Sequence, residues 1–198
     1  MITLYGVHGT TASCADKIEQ EGFKSSQGYR GEGIYFWRKN VYAEDLVIGW
    51  YLTSISQGHH SKDTDKRCAI ISASINVDDD EFVSLESPNI KDNIAALFKQ
   101  SNYKDHINAI KFYEEFFELL ELELNHPVKV VEIAFPAPKK CQVYPRQALG
   151  MPIAYLVREA NCVSILSIKK LEKPEIESWK TANESMKQLK KSLPNYSQ

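Results

Sequence analysis

"HGTTASCADKIEQEGFKSSQGYRGEGIYFW", residues 8–37, decides how this chain is read. It begins where the alternating run "ITLYGVH", residues 2–8, ends, and that alternation is the period of a half-buried strand. His8 closes the strand, Gly9 follows, and Thr10 and Thr11 supply hydroxyls. A glycine there lets something approach the backbone while His8 and Thr10 hold it. Ala12, Ala15 and Ile18 then recur at helical spacing, with Gly22 as the stop. "KSSQGYRGEG", residues 24–33, carries three glycines and reads as a loop, and "IYFW", residues 34–37, as a second strand.

Working outward, "VYAEDLVIGWYLTSIS" is helical, with Tyr42, Leu46, Gly49 and Trp50 on one face. "SQGHHSKDTDK" is polar, so His59 and His60 are expected in solvent. "RCAIISASINV" is a strand that ends in the acidic turn "DDDE", which lacks the glycine and distal glutamate of a calcium loop. Residues 89–126 are helical in period between Pro88 and Pro127, and Ile107, Ile110, Phe112, Phe116, Phe117, Leu120 and Leu124 give the second helix a broad apolar face. "VKVVEIAF", "PIAYLV" and "CVSILSIKKL" are strands, and the charged segment 172–198 holds a last helix. Strands early, strands late and helices between them, without regular alternation, predict an α+β fold rather than a doubly wound sheet.

Composition narrows the function classes. The 198 residues suit one domain, 43% of them apolar and 25% charged. A net charge of −2 carries no global nucleic-acid signature. No stretch approaches a membrane span and no signal pattern opens the chain, so the expected location is cytoplasmic, without membrane partners. Cys14, Cys68, Cys141 and Cys162 have no metal-ligand or CxxC spacing and read as structural thiols, and no metal is expected.

In order, the His8-Gly9-Thr10 triplet, a short helix and Gly33-Ile34-Tyr35-Phe36 resemble the ADP-ribosyltransferases of the diphtheria-toxin and poly(ADP-ribose)-polymerase-like branch. The resemblance is strongest from Leu4 to Tyr51, about a quarter of the chain. It implies a split, antiparallel-rich sheet in a catalytic domain over residues 1–171, with 89–126 as a helical insertion. It also implies NAD as co-substrate. His8 would bond a ribose hydroxyl, Gly9 would offer its backbone to the nicotinamide carboxamide, Thr10 would add a hydroxyl, and Tyr35 would stack on the nicotinamide. A second aromatic from the next helix would close the other side: Tyr42, the nearest in sequence, Trp50 or Tyr51.

The third motif of that family, often a glutamate, falls here on Ala154, or Ile153 with one shift. Three readings stay open. The site works without an acid and the substrate supplies the carboxylate; a polar group comes from Gln147, Glu159 or Glu132; or the protein binds NAD or ADP-ribose without chemistry. The resemblance implies a mono-ADP-ribosyltransferase acting on RNA, DNA or protein, in the manner of microbial toxins of toxin–antitoxin and phage-defence systems, with a neutralising partner. "APKKCQVYPRQALG", residues 137–150, falls where the family presents its acceptor loop. Lys139, Lys140 and Arg146 around Tyr144 suit a phosphate backbone and a stacked base. A rival, an NAD-dependent RNA 2′-phosphotransferase, would rest on Arg30 and Arg158.

Overall fold

The alternating segments build one mixed sheet. The structure, a computed structural model, describes residues 1–100 and 106–192. In chain order the elements are β1 (Ile2–Thr11), α1 (Ala12–Glu21), β2 (Ser26–Gly28), β3 (Gly31–Arg38), α2 (Ala43–Ser56), β4 (Cys68–Val77), β5 (Phe82–Ser84), α3 (Pro88–Gln100), α4 (His106–Leu124), β6 (Val130–Ala134), α5 (Arg146–Leu149), β7 (Ile153–Val157), β8 (Val163–Lys170) and α6 (Lys173–Ser192). The strand order is β5-β6-β7-β3-β1-β4-β8, with β2 paired to β3. Every pairing is antiparallel except β5 with β6, which the α3–α4 crossover connects. The fold is α+β, with a large, mostly antiparallel sheet and, among the described residues, six helices.

Local chemistry sets the ends of the helices. Thr11 caps α1 by accepting a bond from the Cys14 N–H at 3.4 Å, and Gly22, at φ 80°, ends it. Pro88 opens α3, where its missing N–H costs nothing, and Asn125, at φ 58°, follows α4 in the left-handed region.

The two faces of the sheet carry different cores. Val7, Tyr35, Trp37, Ile70 and Leu156 face α2, α4 and α6, while Phe36, Ile71, Ala73 and Ile75 lie on the opposite face, with α1 packed there against Ala69 and Ile71. On α4, Phe112, Phe116, Phe117 and Leu120 are buried, Ile110 is half-buried and Leu124 is exposed. Ile107, placed on that face by its spacing, lies outside the described side chains. Helix α2 is buried on more sides than one amphipathic face predicts. A Cβ on Gly9 would meet Val47 Cγ1 at 2.6 Å, and one on Gly49 would meet Cys141 Cβ at 2.7 Å, so α2 is held between β1 and the 138–144 segment. Trp50 therefore falls outside the expected buried face and is 37% exposed.

Helix α6 docks on the body. Leu171 and Ile176 enter the main core, Trp179 Nε1 donates to Asp45 Oδ1 at 2.7 Å, and Asn183 donates to the Lys140 carbonyl at 2.7 Å. No helix among the described residues is long and apolar enough to cross a membrane.

Candidate functional site

β1 and β3 come apart part-way along their length, and a cavity lies there. β1 pairs with β4 from Ile2 to Thr11, but with β3 only at Gly6–Arg38 and Val7–Trp37. Beyond Val7 the two strands diverge. A cavity of about 690 Å³ lies in that fork, within the range of small-molecule sites. The end of β1, helix α1, the turn to β2, and β3 form its walls, and Trp50, His59, Phe135 and Ala154 complete them.

His8 bridges the fork. Its Nδ1 donates to the Tyr35 carbonyl at 2.8 Å, and its ring packs against Phe23 and Phe36 at 5.4 and 5.6 Å. Burial pushes the imidazole pKa below its ordinary value, and the bond to Tyr35 only partly offsets this. The ring is therefore neutral near pH 7. With its proton on Nδ1, Nε2 is left as an acceptor.

Backbone direction singles out Gly9. In an antiparallel strand the N–H and C=O of alternate residues point to the same edge. The Tyr5 carbonyl accepts from Lys39 N at 2.9 Å, so odd-numbered residues of β1 face β3. Val7 meets Trp37 there. Gly9 comes next, past the last β1–β3 pair, and turns its N–H and C=O into the open fork. Its missing side chain serves a second purpose, because Val47 packs against its Cα.

Tyr35 is held rigidly. Its hydroxyl donates to the Gly31 carbonyl at 2.9 Å and accepts from the Arg30 N–H at 3.0 Å. Burial raises its pKa to about 12, so the phenol stays protonated. A Cβ on Gly28 would lie 2.3 Å from the Tyr35 ring, and one on Gly33 would lie 2.5 Å from Leu156, so both glycines make room for close packing around this strand. The glycine loop of the sequence reading is thus β2 and the start of β3, which begins at Gly31 rather than Ile34.

His8, Gly9, Thr10 and Tyr35 all line the cavity. Tyr42 does not. It meets Tyr144 edge-on at 5.6 Å and packs into the main core, because the start of α2 lies under the 138–144 segment. Tyr51 is buried, with its hydroxyl on the Lys66 carbonyl. Trp50 is the α2 aromatic on the cavity wall. Phe135, read only as the end of a strand, stands 6.1 Å from Tyr35 and 6.0 Å from Trp37. Its position follows from pairing that no local pattern shows: its N–H bonds the Pro152 carbonyl, which sets it beside β7.

The expected third-motif groups are not in the cavity. Ala154 lines it, opposite Trp37 and Ile133, while Ile153 does not. Gln147 is exposed on α5, away from the fork. Glu159 lies past the far end of β7, 3.8 Å from Lys129. Glu132 accepts from Ser84 Oγ at 3.0 Å. Among the described residues the only acid on the wall is Glu21, which pairs with Lys24 at 2.6 Å.

Two further expectations are corrected. Tyr144 is buried and so cannot stack a base, although Lys139, Lys140 and Arg146 remain exposed. Arg30 and Arg158 are committed to α4: Arg30 bonds Tyr113 and lies over its ring at 4.7 Å, and Arg158 bonds Glu121 and lies 5.0 Å over Phe117. No protein-family model matches this chain, and no curated protein matches it.

Proposed function

We propose that the fork binds NAD and that the protein is a mono-ADP-ribosyltransferase acting on a macromolecule. One observation carries the reading. The residues that resemble the family's first two motifs, distant in sequence, meet where β1 and β3 part, joined by the His8–Tyr35 bond. There Gly9 offers an N–H and a C=O to a carboxamide, which needs one of each. Nε2 of neutral His8 accepts from a ribose hydroxyl. The pinned ring of Tyr35, with Phe135 and Trp50 on the same walls, supplies apolar surface for the nicotinamide. Lys17 on the wall offers positive charge to a diphosphate, while Lys24 is already paired with Glu21.

The family resemblance implies the chemistry. The bond between nicotinamide and ribose C1′ breaks, and neutral nicotinamide leaves with the electron pair. The ribose becomes oxocarbenium-like, and an acceptor nucleophile forms the new bond at C1′ and loses its proton. The protein's part is to orient both reactants and to exclude water. With apolar Ala154 at the third-motif position, the group that takes the acceptor's proton belongs to the acceptor itself or to solvent. A small domain of this kind fits a microbial toxin with a neutralising partner, by analogy alone.

The same Ala154 favours a second reading, an NAD or ADP-ribose reader without chemistry. Incubation with NAD labelled on its adenylate phosphate and a whole-cell extract separates the two. Transfer of label, lost on nuclease or protease digestion, is the expected result and names the acceptor class. NAD binding with neither label transfer nor nicotinamide release makes the protein a reader.

A further inference from the structure

The polar segment 57–67 is not wholly solvated. Its fold against α1 brings His60 and Asp63, three residues apart, to Cys14, far back in the chain. His60, expected in solvent, has a side chain only 14% exposed, and that of Asp63 is 18% exposed. Asp63 Oδ2 is the hub: Thr11 Oγ1 donates to it at 2.5 Å, His60 Nδ1 lies 3.0 Å away, and Cys14 Sγ lies 3.4 Å away. One donor atom each from Cys14, His60 and Asp63 falls within 4.8 Å of the other two. Cys14 is also unlike the other cysteines. Cys68, Cys141 and Cys162 are buried thiols whose pKa burial raises, whereas Cys14 is half-buried on the cavity wall.

His60 Nε2 is buried and has no hydrogen-bond partner among the described residues. The ring nitrogen that faces Asp63 is Nδ1, so an ion held between them would leave the ring proton on Nε2.

We propose that Cys14, His60 and Asp63 form a binding site for one thiophilic divalent ion of the zinc class, which ties the 57–67 segment to the start of α1 at the cavity rim. The donor set fits. A thiolate, a neutral imidazole and a carboxylate together balance a 2+ ion, and sulfur with nitrogen selects zinc over magnesium or calcium. The spacing fits as well. In a tetrahedral zinc site the nitrogen–oxygen and sulfur–oxygen edges are about 3.3 and 3.6 Å, and the corresponding separations here are 3.0 and 3.4 Å. Binding releases the thiol proton to solvent and leaves the fourth position to water. The site adjoins the cavity through Cys14 itself and through Trp50, whose ring meets His60 edge-on at 6.0 Å. None of this depends on the NAD reading.

The test is a Co²⁺ titration of the metal-free full chain, followed by Zn²⁺ competition. The expected result is one equivalent bound, with a thiolate-to-cobalt charge-transfer band that Zn²⁺ abolishes and Mg²⁺ does not. Cys14→Ser removes the band. Cys14→Ser and His60→Ala each weaken binding by at least about tenfold. Zn²⁺ also slows protease nicking within 57–67 in the wild type and not in the variants. Circular dichroism checks each fold, and His60→Ala, on a loop, decides the matter if Cys14→Ser fails to fold. No thiolate band in the wild type, or a Co²⁺ affinity in His60→Ala equal to that of the wild type, overturns the proposal.

Discussion

The two edges of β1 behave differently. On one edge the strand is zipped to β4 over its whole length, Ile2 to Thr11; on the other it meets β3 at two residues and then leaves it. The closed edge is where side chains do the packing: Ile71, directly across from His8, is completely buried. The open edge is where backbone groups of Gly9 and the His8 ring face a cavity. A sheet can spare those groups only where something else satisfies them, and at this fork the bond from His8 to the Tyr35 carbonyl replaces a missing rung.

Substitutions on the two edges sharpen that contrast. Ile71→Ala on the closed edge should cost about 2–5 kcal/mol in urea unfolding, with NAD binding intact wherever the protein remains folded. Tyr35→Phe, which leaves the Arg30 N–H and the Gly31 carbonyl without their partner, should cost about 1–3 kcal/mol. His8→Ala, on the same rung as Ile71, should cost only about 1 kcal/mol of stability while weakening NAD binding at least about tenfold. Equal stability losses at His8 and Ile71 would break the comparison.

A pH series sets the open edge apart without removing its hydrogen bond. His8 has a folded-state pKa below its reference value of 6.5. As pH falls through 6.5 the unfolded chain takes up a proton that folded His8 refuses. Stability therefore falls with falling pH until the lower folded value is reached. His8→Gln lacks this contribution, so its urea midpoint should drop less between pH 7.5 and 5.5 than that of the wild type. The smallest effect belongs to the rim. Lys17→Ala should leave stability within about 0.5 kcal/mol and weaken NAD binding a few-fold, more at low salt than at high.

The sequence shows the open edge only in part. The alternation of residues 2–8 and the glycines before Ile34 mark two strands, and His8 and Tyr35 stand out by type and position. That the strands part after Val7 depends on pairing between distant segments, which no local period records. Phe135 reaches the cavity because β6 pairs with β7, and Trp50 reaches it because α2 is covered on two other sides. The three-residue strands β2 and β5 are too short to show an alternation. His60 looks solvated among polar neighbours, yet it packs beside Trp50 of α2 and bonds Asp63, which in turn is held by Thr11 and Cys14, far back in the chain. Ala154, on which the third-motif count falls, is on the cavity wall, while Gln147 and Glu159 are carried away from it by α5 and by the far end of β7.

The central claim is that the open fork of β1 is an NAD site. Calorimetric titration of NAD into the wild type and into His8→Ala tests it most directly. One site per chain in the wild type, weakened at least about tenfold in a folded His8→Ala, is the result the account predicts. No binding in the wild type, or equal affinity in the two proteins, would contradict it.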